Sequence, residues 1–256
     1  MTALLEVQGL IKQFGGHRAV DGASFRVEAG TVTGLIGPNG AGKTTCFNCI
    51  AGFLRTDGGR VLFDGHDVTG AAPHRMFRRG LTRTFQIPQE LASLSVLENL
   101  LLVPAGQSGE RLWGPLLRPG LVRRQEAANV ARAREVLELV ELAPLMRDPA
   151  GSLSGGQRKL LELARALMSR PRMILLDEPG AGVNPTLARR LTDHIARVRD
   201  EMGITFLLIE HDMDLVARVC DPVIVMTAGR VLVEGPPSAA LANARVQEAY
   251  LGSQYR

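Results

Sequence analysis

The chain has 256 residues, of which 45% are hydrophobic, 22% charged and 4% aromatic, enough for one large α/β domain or a domain carrying a subdomain. These proportions exclude disordered, collagen-like and disulfide-scaffold chains. The net charge of +4 rests on 30 basic residues, all arginine except Lys12, Lys43 and Lys159, a bias that suits either the source genome's composition or an affinity for anionic surfaces.

Met1 to Glu6 has neither a basic region nor an apolar core, so no signal peptide is expected. The apolar run 204–209, broken only by Thr205, falls far short of the roughly 20 residues a membrane span needs. Three cysteines suit a reducing cytoplasm. Leu4 to Val7, Ala23 to Val27 and Val61 to Phe63 read as strands, with a turn at Gly58-Gly59. Thr31 to Ile36 is an apolar run that enters a glycine-rich loop, and the chain turns helical from about Lys43. Val103 to Gly120, rich in Pro and Gly, reads as an irregular connection. Ala127 to Leu142 reads as a helix with Val130, Ala133, Leu137 and Val140 on one face. Beyond it, buried-type strands at Met173 to Leu176, Thr205 to Ile209 and Pro222 to Met226 alternate with helices at Leu187 to Arg199 and Met213 to Val219. That rhythm predicts a parallel sheet covered on both faces.

Three motifs carry chemistry. Gly37-Pro38-Asn39-Gly40-Ala41-Gly42-Lys43-Thr44 lies between a strand and a helix and fits the phosphate-loop pattern. Its small residues let backbone N–H groups close around phosphates, with Lys43 reaching the β/γ oxygens, Thr44 ligating Mg²⁺ and Thr45 continuing the set. Met173 to Leu176 ends in Asp177-Glu178, which places Asp177 toward Mg²⁺ and Glu178 toward an attacking water. Ser154-Gly155-Gly156-Gln157 opens a helix with Leu160, Ala164 and Leu167 on one face, a second anion site about 110 residues after the first. Two such sites cannot easily meet on one γ-phosphate, so the second is expected to serve another subunit's nucleotide. Cys46-Phe47-Asn48-Cys49, with no second pair nearby, is expected to be buried packing, not a metal site.

With these motifs in this order, the sequence resembles the nucleotide-binding subunits of ABC transporters, in which Leu153 to Gln157 is the signature segment. The resemblance covers nearly the whole chain. It implies a P-loop NTPase (RecA-like) α/β core, 1–89 and 159–256, with an antiparallel β subdomain and an inserted α-helical subdomain at about 90–158. Phe14, 29 residues before Lys43, matches the adenine-stacking aromatic. Gln86 matches the glutamine that touches Mg²⁺ and the attacking water, on a loop that contacts the membrane subunit. His211 matches the switch histidine. Gly180 to Asn184 departs from the usual pattern, with Asn184 where Asp is common, and is given no separate chemical role.

Phe14-Gly15-Gly16, Arg83-Thr84-Phe85-Gln86, Ala181-Gly182-Val183-Asn184-Pro185, Glu210-His211-Asp212-Met213 and Glu248-Ala249-Tyr250-Leu251-Gly252 are similar to ATPases of branched-chain amino acid importers, whose relatives carry urea or short amides. The implied cofactors are ATP and Mg²⁺. The implied partners are permease subunits, a second ABC ATPase and, indirectly, an extracytoplasmic solute-binding protein, with no nucleic acid. The implied location is the cytoplasmic face of the cell membrane, as a peripheral subunit. A lipid or lipopolysaccharide exporter's ATPase and a non-transport ABC ATPase are the alternatives.

Overall fold

In the computed structural model, which describes residues 3–84, 90–110, 114–182 and 184–253, the first strands are longer than their hydrophobic cores. β1 (Ala3–Phe14) and β2 (His17–Glu28) form a hairpin that closes with Phe14 opposite His17. A register shift between Val7 and Leu10, around left-handed Gly9, returns Leu10 to the buried face. β3 (Val32–Ile36) is buried at every position and leads into α1 (Lys43–Ile50). Then come β4 (Gly58–Phe63), β5 (His66–Asp67), α2 (Pro73–Arg78) and β6 (Leu81–Arg83).

After a helical stretch, the α/β pattern resumes with β7 (Met173–Asp177), α7 (Pro185–Met202), β8 (Thr205–Ile209), α8 (Met213–Val219), β9 (Val223–Thr227) and β10 (Arg230–Gly235), and closes with α9 (Pro237–Leu241) and α10 (Ala244–Ser253). Two sheets result. One is antiparallel, in the order β2-β1-β4-β5, and the other has six strands in the order β10-β9-β3-β8-β7-β6. Every described pairing in the second sheet is parallel except that of β10 with β9. Alternate residues on its strands, Leu35, Met173, Leu175, Leu207, Ile209, Ile224 and Met226, share one core with Phe47 and Ile50 of α1 and Leu5, Phe25 and Phe63 of the antiparallel sheet. The period of two thus decides which residues meet α1 and which meet the opposite side. Because β3, β7 and β8 are buried throughout, both of their faces are covered.

The chain divides into two compact units, Met1–Gln86 with Arg172–Arg256, and Ile87–Pro171. The second is helical, built from α3 (Val96–Leu101), α4 (Gly114–Leu117), α5 (Pro119–Leu139) and α6 (Gly155–Met168). Val96 and Leu100 of α3, Ala133, Val136 and Leu137 of α5, and Leu161, Ala164 and Leu167 of α6 are buried as these three helices pack together. The buried Asn99 side chain holds the segment before α3, accepting from Leu91 N–H and donating to Leu91 C=O.

Two expectations need correction. α5 begins at Pro119, not Ala127, and ends at Leu139, not Leu142. Pro119 supplies a preset helical φ at the first turn, but the turns after it carry exposed Arg123 and Arg124 and little apolar signal. The 103–120 connection is not wholly irregular: it holds a 3₁₀ turn at Ser108–Glu110 as well as α4.

Candidate phosphate-binding and hydrolytic site

The loop after β3 is shaped by close backbone approach. Gly37 has φ 147°, and a Cβ there would lie 2.1 Å from the Met226 carbonyl oxygen of β9. Gly42 has φ 96°, and a Cβ there would lie 2.2 Å from the Ala19 carbonyl oxygen of β2. Both positions therefore require glycine. The loop is pinned by Ala41 N–H donating to Pro38 C=O at 3.2 Å and Gly229 N–H donating to Ala41 C=O at 3.0 Å. Lys43, the first residue of α1, curls back so that its ammonium donates to Gly37 C=O at 2.7 Å and Pro38 C=O at 2.9 Å. Burial lowers its pKa, and the nearby Glu178 and Asp177 carboxylates oppose that shift.

A cavity of about 300 Å³ opens over this loop, lined by Asn39 to Thr45, His17, Ala19, Glu178 and His211. Glu178 follows β7 and His211 follows β8. Adjacent parallel strands put both at one sheet end, where His211 Nε2–H donates to Glu178 Oε1 at 2.6 Å. Glu178 has φ 49°, left-handed for a residue with a side chain, and its N–H donates to Ile209 C=O at 3.0 Å. The buried Glu210 supports this corner by accepting from Gly180 N–H at 2.6 Å and His211 N–H at 3.1 Å. Burial pushes its carboxyl pKa up, and these backbone bonds oppose the shift. Asp212 caps α8 by accepting from Asp214 and Leu215 N–H, so His211 is held between a strand end and a capped helix.

Asp177 ends β7 at 6% exposure, and its Oδ2 accepts from Arg83 Nη2 at 2.7 Å. Thr44 lies at the start of α1 and lines the cavity. A hydroxyl and a carboxylate are the hard oxygen donors that Mg²⁺ takes when phosphates supply the rest, so this donor set fits the ion. Among the described residues there is no cluster of three His, Cys, Asp or Glu that could hold a metal. Burial pushes the Cys46 thiol well up and the Cys49 thiol to about 11, so this pair carries no reactive thiolate.

The sequence-predicted residues are only partly gathered. Asn39, Gly40, Ala41, Gly42, Lys43, Thr44, Thr45, Glu178 and His211 surround one cavity, with Gly37 and Pro38 beneath it holding Lys43. Phe14 does not line it: it ends β1, is half-exposed, and has the Lys12 ammonium 5.4 Å from its ring centre. Gln86 lies outside the described residues. Ser154, Gly155, Gly156 and Gln157 belong to the helical unit, where Ser154 and Gln157 form a capping box: Ser154 N–H donates to Gln157 Oε1 at 2.8 Å and Gln157 N–H to Ser154 Oγ at 3.4 Å. Asn184 caps α7, accepting from Leu187 N–H at 2.9 Å. His17 and Ala19 carry no sequence signal, and Arg83 and Glu210 stand in the sequence only within longer segments, with no role of their own. A basic residue three positions before Gln86 was the available signal for Arg83, but only the β6–β7 register brings it to Asp177.

The sequence model of the family described as "ABC transporter" matches residues 20–181, more than half the chain. The chain belongs to that family. A second family, described as "Branched-chain amino acid ATP-binding cassette transporter", matches residues 230–256. The cassette is 43% identical over 98% of its length, and 96% of the other's, to the probable branched-chain amino acid transport ATP-binding protein LivG of Archaeoglobus fulgidus. It is 41% identical to the high-affinity branched-chain amino acid transport ATP-binding protein BraF of Pseudomonas aeruginosa, over 97% and 98% of the two chains. Among solved structures, it is similar to a nucleotide-free ATP-binding cassette from an ABC transporter (TM-score 0.83, 40% identity, 97% of this chain and 98% of that one). An ATP-binding cassette in its ADP conformation is equally similar (TM-score 0.83, 39% identity, 98% and 100%). The cassette is thus the ATP-binding, ATP-hydrolysing subunit of a transporter. No helix among its described residues is long and apolar enough to cross a membrane.

Proposed function

We propose that the cassette powers import of branched-chain amino acids through partner permease subunits on the inner face of the cell membrane. The observation that carries this reading is the pairing of full-length likeness to branched-chain amino acid transport ATPases with a separate match of residues 230–256 to that family's own C-terminal segment. Urea and short amides are the neighbouring cargo classes.

In this reading, ATP binds over the loop 37–45. Lys43 exchanges the Gly37 and Pro38 carbonyls for β- and γ-phosphate oxygens, and the backbone N–H groups entering α1 face the same charge. Phe14 stacks on the adenine. Thr44, Asp177 and Gln86 hold Mg²⁺, which when bound neutralises phosphate charge. Glu178 accepts a proton from the attacking water as that oxygen bonds to the γ-phosphorus and the bond to ADP breaks. His211, hydrogen-bonded to Glu178, keeps the carboxylate aimed and contacts the γ-phosphate. Ser154, Gly155, Gly156 and Gln157 of a second ATPase subunit close over the same nucleotide, so release of phosphate opens the pair and the loop at Gln86 passes that opening to the permease.

Mild-detergent purification of the tagged chain from its native membranes tests the assignment. Two permeases, a second ATPase and a binding protein should accompany it, and the reconstituted assembly should take up labelled leucine, isoleucine or valine when ATP is supplied. Recovery with a lipid-export assembly, or ATP-dependent uptake that excludes these amino acids, overturns it.

A further inference from the structure

Arg83 is the last residue of β6 and only 11% of its side chain is exposed. Its guanidinium is fixed from three directions. Nη2 donates to Asp177 Oδ2 at 2.7 Å, Nη1 donates to Asn48 Oδ1 on α1, and the Phe53 ring lies 5.6 Å from the guanidinium carbon. The group therefore ties together the helix that follows the phosphate loop, the strand that ends in Asp177, and the strand that leads to Gln86. A planar fork with two ends in use has one pose, and it commits Oδ2 of Asp177 to the guanidinium.

We propose that Arg83 is a positioning residue for Asp177: it fixes the carboxylate so that one oxygen stays turned to the magnesium-bearing face of the nucleotide. This rests on the reading of Asp177 as a metal ligand. Partners that orient a ligating carboxylate typically change metal affinity by about 10–100-fold when removed. Lysine cannot replace Arg83 fully, because a point charge on a flexible stem cannot hold Asn48 and Asp177 together.

The test is a magnesium titration of a fluorescent, non-hydrolysable ATP analogue on the full chain. In Arg83→Met, the Mg²⁺ concentration for half-maximal tightening of the analogue should rise about 10–100-fold, while binding without Mg²⁺ stays within about twofold of wild type, which a general loss of structure would not spare. Arg83→Lys should recover part of the shift. Asn48→Ala, which frees one end of the guanidinium without stripping Asp177, should shift the titration the same way by a smaller factor, and it decides the matter if Arg83→Met does not fold. Unshifted titrations in these variants while Asp177→Asn is strongly shifted overturn the role of Arg83. An unshifted Asp177→Asn overturns the metal-ligand reading of Asp177 and this inference with it.

Discussion

Glu178 occupies a backbone conformation that costs a non-glycine residue on the order of 1–3 kcal/mol and persists only where its surroundings impose it. Here the bond to Ile209 C=O, the turn closed by Glu210 and the hydrogen bond to His211 impose it. Strain of this kind, beside the loop 37–45, is consistent with the role of base proposed for Glu178. Glu178→Gln should bind ATP normally and lower steady-state turnover by about 10²–10⁴-fold, with His211→Ala lowering it by less; undiminished turnover in the glutamine variant removes Glu178 from the role of base. The residues whose chemistry depends on short stretches of sequence, Lys43, Asp177, Glu178 and His211, were legible as motifs. The contacts of Arg83 with Asp177 and of Glu210 with Gly180 were not, because each joins residues distant in sequence and no local pattern encodes those pairings.

At the scale of elements, the start of α6 caps its own helix and is proposed to have a second role. Ser154 caps the helix through the reciprocal bonds with Gln157, and the same hydroxyl is proposed to face a second subunit's nucleotide. The two roles separate by substitution. Ser154→Ala should destabilise the chain by about 1 kcal/mol in urea unfolding. Ser154→Asp keeps a side chain that caps equally well but places a negative charge where phosphates would arrive, so it should preserve stability and still lose ATPase activity. An aspartate variant with full activity shows that Ser154 does nothing but cap. α5 shows why element boundaries escape sequence reading: of its first eight residues only Val122 is buried, too few to set a helical period, so periodicity detects only the half of the helix that carries Ala133, Val136 and Leu137.

For the whole molecule, strand–helix alternation was enough to predict a parallel sheet, but not the insertion of β3 between β8 and β9, which is set by pairing across more than 170 residues. That central placement matters, since the phosphate loop leaves from β3 while Glu178 leaves from β7 and His211 from β8. Ligand and fold are thereby linked, and anything that binds the folded site alone must stabilise it. For Glu178→Gln with Mg²⁺-ATP at 100 times its Kd, linkage gives about 2.7 kcal/mol, or a melting temperature roughly 5–11 °C higher for a chain of this size. Differential scanning fluorimetry with and without nucleotide measures this; an unchanged melting temperature shows that the folded chain does not bind the nucleotide at that concentration, and a rise that Lys43→Ala leaves intact places binding away from the loop 37–45.

The curl of Lys43 onto Gly37 and Pro38 has a consequence for which anions the loop admits. Two of the three ammonium hydrogens already have good acceptors, so an arriving anion finds one donor free and, for the other two, gains only by the margin with which it replaces the carbonyls. A singly bonded anion such as chloride, or a small oxyanion with no tail to anchor, offers little margin. A polyphosphate, able to present several oxygens to the lysine and to the backbone N–H groups together, offers a large one. The lysine's own carbonyl partners thus work as a built-in competitor, a discrimination set by the loop's geometry before any contact with a base or sugar is made.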